Sequence, residues 1–236
     1  MSFKTLVAVL TALTLSSSVG AIEKTERINW LAEAPSKTEE ITEELKVEEP
    51  EVKWPITKAQ MAAIMKRPEA SISDELMDDF SRAIELFNLD EINIAYFLGQ
   101  IGHESGGLKH KVELDSGWRY EYRRDLGNIF QGDGPRYAGG GFLQITGRAN
   151  YTGFYDYMKS RGIDDPGIIS DGKHHIAKHY PWTSGAWWWM AKGMIDYCKN
   201  NPDIDRVGAR VNGRYLPNGY LERRAYTQRA FKVLGV

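Results

Sequence analysis

Two glutamates stand nine residues apart in FLGQIGHESGGLKHKVE, at Glu104 and Glu113. The pair Gly106-Gly107 lies between them, so a helix carrying Glu104 must stop there and the segment carrying Glu113 is free to fold back. Two carboxyls facing each other across a groove are the minimum apparatus for breaking a glycosidic bond by acid and base. Spacing alone says little, because a chain with 32 acidic residues contains many such pairs and most acids are solvated surface groups. A third acid, Glu121 in RYEYRR, competes with Glu113 for the role of base.

The stretch RYAGGGFLQITGRANY has a different texture. If Phe142 to Thr146 is extended, alternation puts Gln144 and Thr146 on one face and Leu143 and Ile145 on the other, a polar rail above an apolar floor. Gly139, Gly140 and Gly141 let backbone approach a ligand closely. No G-x-x-x-x-G-K-[ST] pattern is present, so a phosphate loop is not what these glycines form.

The elements that must position these groups are mainly helical. Hydrophobic periodicity marks helices over Ile56–Met65, Ile72–Phe87 and Ile92–Glu104, the last opened by Asp90 as N-cap and closed by the glycine pair. Tyr151–Met158 and Trp187–Cys198 fit further helices, each followed by a proline-containing stop. At ~100° per residue Ile94, Phe97, Leu98 and Ile101 form one stripe, Glu104 falls roughly 70° from its centre, and His103 points to the far side. Glu104 is thus expected at the edge of the core, partly desolvated, as a general acid must be to stay protonated near neutral pH. The competing reading, a surface glutamate at a helix C-terminus, has the helix dipole against it. The good strand candidate, Gly141–Thr146, is short, and no internal repeat is visible, so one mainly α domain with a small extended element is expected.

Composition limits the alternatives. The 236 residues are 42% hydrophobic, and 30 Lys+Arg nearly balance 32 Asp+Glu for a formal charge of −2. That excludes a strongly basic nucleic-acid binder and a wholly disordered chain. One cysteine, Cys198, excludes an intrachain disulfide and a cysteine zinc site, and is most simply a packing residue. The balance hides three parts. Residues 1–21 read as a secretory signal, with Lys4, an apolar run to Leu15 too short to span a membrane, and small residues ending at Ala21. Residues 22–53 hold 10 acidic and 5 basic side chains and read as an acidic flexible tether, with like-charged pairs such as Glu39/Glu43 opposing helix formation. Residues 54–236 carry 25 of the 27 aromatic residues and form the expected folded domain.

Other conspicuous residues have ordinary readings beside the functional one. Trp187, Trp188 and Trp189 could stack on sugar rings, but successive helical positions face different ways, so at least one packs inward, and Trp187 is assigned to the core. His175 and His179 have a spacing a metal can use, with His174 beside them, yet no cysteine is near and no metal is expected. His103 is read as a neighbour of Glu104 rather than a base.

These segments together resemble glycoside hydrolase family 19, the chitinase and phage-type endolysin family, whose domain has a lysozyme-like helical fold. The resemblance runs from Trp54 to Val236 and is carried by FLGQIGHESGGLKHKVE (97–113), DLGN (125–128), GDGPRYAGGGFLQITGRANY (132–151), WTSGAWWWM (182–190) and RVNGRYLPNGYLERRAY (210–226). It implies Glu104 as general acid, Glu113 as general base and Thr146 as the hydroxyl that helps hold the attacking water. Gln144, Asn150 and Asn212 match sugar-contacting positions, and Arg223 matches the arginine that organises the carboxylates. The family usually has Tyr-Arg-Gly-Arg-Gly where this chain has Tyr137-Ala138-Gly139-Gly140-Gly141, so two cations are missing, for which Arg136, Arg148 or Arg223 would have to compensate.

The resemblance implies an inverting endo-glycosidase cleaving β-1,4 bonds of an N-acetylglucosamine polymer, chitin or peptidoglycan. Such an enzyme needs no cofactor; the near-neutral composition leaves no nucleic-acid partner, the N-terminal signal implies a secreted or periplasmic location with no stable membrane span after cleavage, and a monomer is expected. A lytic transglycosylase of similar fold, or a weakened module that binds glycan without cleaving it, are the rival readings.

Overall fold

The computed structural model describes residues 55–236; the expected export signal and acidic tether lie outside the described residues. Eleven α-helices occur among them: α1 Lys58–Met65, α2 Asp74–Phe87, α3 Glu91–Glu104, α4 Asp133–Arg136, α5 Arg148–Ser160, α6 Gly167–Ser170, α7 Lys173–His179, α8 Thr183–Ala191, α9 Met194–Lys199, α10 Ile204–Asn212 and α11 Tyr220–Leu234. Local chemistry sets the first three starts. Thr57 and Gln60 form a reciprocal capping box on α1, Ser73 accepts from the Leu76 amide on α2, and Asp90 accepts from the Asn93 amide at 2.8 Å on α3.

Helix α3 is the central element, buried without interruption from Asn93 to Gly102. Helix α11 lies against it where Gly99 and Gly102 offer no side chain. A Cβ at Gly99 would land on Thr227, and one at Gly102 on the Tyr226 ring, so the two backbones approach closely only because these positions are glycine. A second cluster centres on the fully buried Trp182, whose ring lies 5.1 Å from Phe80, 6.3 Å from Phe97 and 4.6 Å from Phe142. This cluster ties α2, α3 and the glycine-rich loop into one core.

Two expectations need correction. Gly141–Thr146 is not a strand. Gly140 and Ile145 exchange both backbone hydrogen bonds, 3.1 and 3.0 Å, around a turn in which Gly141 and Gln144 take φ of +74° and +54°. A left-handed residue breaks the two-residue alternation, so Phe142 and Ile145 turn inward while Leu143 stays partly exposed. Among the described residues there is no sheet, only isolated bridges joining Gly140 to Val112 and to Ile145. The helix expected over Trp187–Cys198 is two, α8 and α9, separated at Lys192-Gly193, with Gly193 at φ +65°.

Candidate functional site

Glu104 is the last residue of α3 and stands at the edge of the core, its side chain 26% exposed. Ser105 closes the helix by donating to the Ile101 carbonyl at 2.6 Å and accepting from the Leu108 amide at 2.8 Å, which fixes where the chain departs. The partner of Glu104 comes from α11. Arg223, buried to 2%, donates to the Glu104 carboxylate, to Gln100 Oε1 at 2.8 Å and to the Asn218 carbonyl at 2.9 Å. Asn218 in turn donates its amide to Asn212 Oδ1 at 3.2 Å, so Glu104, Arg223 and Asn212 belong to one hydrogen-bonded wall.

Glu113 belongs to a second. Its backbone amide donates to the Gly139 carbonyl at 2.8 Å, and Gly139 returns its own amide to Glu113 Oε2 at 2.9 Å. The other carboxylate oxygen accepts from the Arg119 guanidinium and from the Tyr120 hydroxyl at 3.0 Å. Arg119 also lies 4.7 Å from the Tyr120 ring centroid, stacked on the residue that shares its task. Burial first, and the Glu113 carboxylate with it, raise the Tyr120 pKa despite the opposing pull of Arg119, so this hydroxyl remains a donor at neutral pH.

The turn after Gly139 supplies the remaining groups. A Cβ at Gly139 would sit 2.5 Å from Gln144 Oε1 and 3.2 Å from Glu113 Cβ, which brings Gln144 against the Glu113 wall. Gln144 donates its side-chain amide to the Gly141 carbonyl at 2.8 Å, the Thr146 hydroxyl donates to the Gln144 carbonyl at 3.0 Å, and Asn150 donates to the Thr146 carbonyl at 2.7 Å. Thr146 Oγ1 has therefore spent its proton and keeps its lone pairs. Gln144, Thr146 and Asn150 thus gather with Glu113, and Asn212 and Arg223 with Glu104. No hydrogen bond joins the two walls among the described residues; the core connects them, through Phe142, Trp182 and Phe97, which sits two helical turns before Glu104.

Glu121 is otherwise engaged. Its two oxygens accept from the Gly132 amide at 2.7 Å and the Gly134 amide at 2.8 Å, clamping the loop that starts α4. The missing cations also have a physical account. Ala138 is buried, and a Cβ at Gly140 would lie 2.5 Å from the Tyr151 hydroxyl and 3.1 Å from Lys173 Cα, so no arginine fits at either position without displacing the core. Arg148 does not replace them, because Asp133 holds it with bonds of 2.9 and 2.5 Å, and Arg136 is exposed. Arg119 brings a guanidinium to Glu113 instead, and neither its type nor its spacing singles it out in the sequence. The deficit at 138 and 140 was the signal that a cation had to arrive from another segment.

His103 Nδ1 lies 2.6 Å from Glu222 Oε2, away from Glu104. Trp187 and Trp189 are buried and Trp188 is partly exposed. His175 bonds to Asp165 at 2.7 Å; burial pushes Asp165 up, but His175 and Tyr180 outweigh it and hold the carboxyl below its ordinary value. No three metal-binding side chains converge among the described residues. Cys198 is buried and its thiol is pushed up to about 12 by that burial, which suits packing and not nucleophilic chemistry.

No family model matches the chain. A Haemophilus influenzae relative named glycosyl hydrolase family 19 domain-containing protein is 25% identical over 166 residues, which is 57% of this chain and 76% of the relative. Among solved structures, a bacterial family 19 chitinase superposes with a TM-score of 0.58 at 20% identity, covering 77% of this chain and 95% of its own. Chitinase C of Streptomyces griseus superposes with a TM-score of 0.55 at 18% identity over 80% of this chain and 96% of that one. The mainly helical fold is that of the family 19 chitinases, and the curated relative carries the same family name.

Proposed function

We propose, from a fold and a resemblance shared with glycoside hydrolase family 19, that this chain is an inverting endo-glycosidase acting on β-1,4-linked N-acetylglucosamine polymers, chitin or peptidoglycan. The observation that carries the reading is that Glu104 and Glu113 are each held by their own guanidinium, from Arg223 and Arg119, on separate hydrogen-bonded walls. Such fixed charges hold two carboxyls in place without a metal or an organic cofactor.

In this reading Glu104 gives its proton to the glycosidic oxygen as the bond breaks. Glu113 takes a proton from a water that attacks the anomeric carbon on the opposite face, and the lone pairs of Thr146 orient that water. Gln144 and Asn150 on one wall and Asn212 on the other contact the sugar's hydroxyl and acetamido groups. Glu113 is favoured over Glu121 as the base because Gln144 and the turn leading to Thr146 lie against it, whereas Glu121 is spent on the loop that starts α4. No helix among the described residues is long and apolar enough to cross a membrane. With residues 1–21 as an export signal and 22–53 as a tether, residues 54–236 work as a monomer outside the cytoplasm or in the periplasm.

Reducing-end release from soluble chitin oligomers and from purified peptidoglycan, measured on the parent protein and on Glu104→Gln, Glu113→Gln and Glu121→Gln, tests the proposal. The first two substitutions are expected to lower kcat by at least ~100-fold and the third by far less. Full activity in folded Glu104→Gln removes the acid assignment. Glycan binding without cleavage of either polymer replaces the enzyme by a binding module.

A further inference from the structure

Of the three consecutive tryptophans on α8, Trp187 and Trp189 are 8% and 0% exposed and belong to the core, whereas Trp188 keeps a partly exposed face. That face lines a cavity of about 410 Å³ where the end of α8, the start of α9 and the end of α10 meet. Its other walls include Lys192, Arg210 and Asn212. Asn212 is the residue already tied to Glu104 through Asn218 and Arg223, so the cavity shares one residue with the hydrogen-bonded wall that holds Glu104.

The charges here are uncompensated. Lys192 and Arg210 are exposed and make no ion pair among the described residues, while the acids of the adjoining helices are taken: Asp196 by Lys199 at 3.0 Å and Asp205 by Arg224. Arg210 is nevertheless positioned, its guanidinium 4.0 Å from the Tyr197 ring centroid. A planar cation stacked this way is pre-ordered to receive a carboxylate.

An indole face takes the C–H face of a sugar ring, an asparagine amide takes an acetamido group, and two unpaired cations take carboxylates. A neutral N-acetylglucosamine polymer uses the first two features and leaves the cations idle. We propose that the cavity lined by Trp188, Lys192, Arg210 and Asn212 is an additional sugar subsite that selects a glycan whose N-acetylated sugars carry carboxylates, on lactyl ethers or on peptides attached to them. The proposal rests on the glycosidase reading and sharpens it, pointing to peptidoglycan over chitin.

Binding is measured by calorimetry on the full chain carrying Glu104→Gln, with and without Lys192→Gln and Arg210→Gln together, against two probes. These are the neutral N-acetylglucosamine hexamer and soluble peptidoglycan strands that retain their peptides. The expected result is a Kd for the carboxylate-bearing strands raised about tenfold by the double replacement, with the Kd for the hexamer within twofold. Equal losses on both probes, no loss on either, or no binding of the carboxylate-bearing strands to the parent overturns the subsite. Hydrolysis by the unmodified chain is recorded alongside: a charge-selective binding difference without hydrolysis of either polymer keeps the subsite and removes the glycosidase.

Discussion

Arg119 reaches back six residues to place its guanidinium on the Glu113 carboxylate, with Tyr120 donating to the same oxygen. The contact supplies positive charge where Ala138 and Gly140 leave no room for it, and it comes from a side chain that is 59% exposed. Its loss should cost little stability and much function. Arg119→Ala is expected to lower kcat ~10- to 100-fold, the worth of a charge-assisted hydrogen bond, with Tm nearly unchanged. Steady-state kinetics on a chitin oligomer beside a thermal melt check this, and unchanged kcat would remove Arg119 from the site.

Arg223 predicts the opposite balance. It is almost wholly buried and serves Glu104, Gln100 and the Asn218 carbonyl together. Arg223→Ala strands the Gln100 oxygen and part of the Glu104 carboxylate and should destabilise the domain by about 3 kcal/mol as well as abolish activity. Arg223→Lys keeps the charge but not the three-way fork, so urea unfolding should recover part of the loss while kcat stays low. Full recovery of kcat by lysine would show that charge alone suffices.

Gly139 is a steric prediction. Gly139→Ala pushes a methyl to 2.5 Å from Gln144 Oε1 and 3.2 Å from Glu113 Cβ, so the turn must shift. A stability loss of about 1–3 kcal/mol and a fall in kcat/KM of roughly tenfold are expected. Wild-type kinetics in this variant would mean that Gln144 moves aside without consequence.

Asp79 carries a pH prediction away from the site. It accepts from the Trp182 amide at 2.7 Å at the start of α8 and from the Thr183 hydroxyl, yet burial dominates and pushes its pKa up to about 6. Between about pH 4 and 6 the folded chain therefore holds a proton that the unfolded chain has released. The stability from this group is present below pH 4 and lost as pH rises through 6. Relative to wild type, Asp79→Asn should gain about 3 kcal/mol between pH 4 and pH 7 in urea titrations. A pH-independent gap contradicts the assignment.

Helix α3, its Asp90 cap and the marginal burial of Glu104 were legible because they rest on local chemistry and periodicity. Helix α11 was not. It buries Arg223, Tyr226, Thr227 and Ala230, a face in which polar and apolar groups are mixed, and hydrophobic periodicity reports such a face only weakly. The turn at Gly141–Gln144 misled because Gln144 adopts a left-handed conformation that its residue type gives no reason to expect. On the site itself, Glu104, Glu113, Gln144 and Thr146 stood out from the residues alone. Arg119 did not, because an exposed arginine six residues from a glutamate is ordinary until the loop is folded.

The proposed displacement by water at the anomeric carbon, with Glu104 as acid and Glu113 as base, fixes the anomer of the product. Proton NMR of a chitin oligomer or peptidoglycan digest, recorded before the new reducing end mutarotates, tests it most directly. The α-anomer is expected from a β-linkage, and neither anomer from Glu104→Gln or Glu113→Gln. An initial β-anomer, or a 1,6-anhydro sugar with no reducing end, would contradict it.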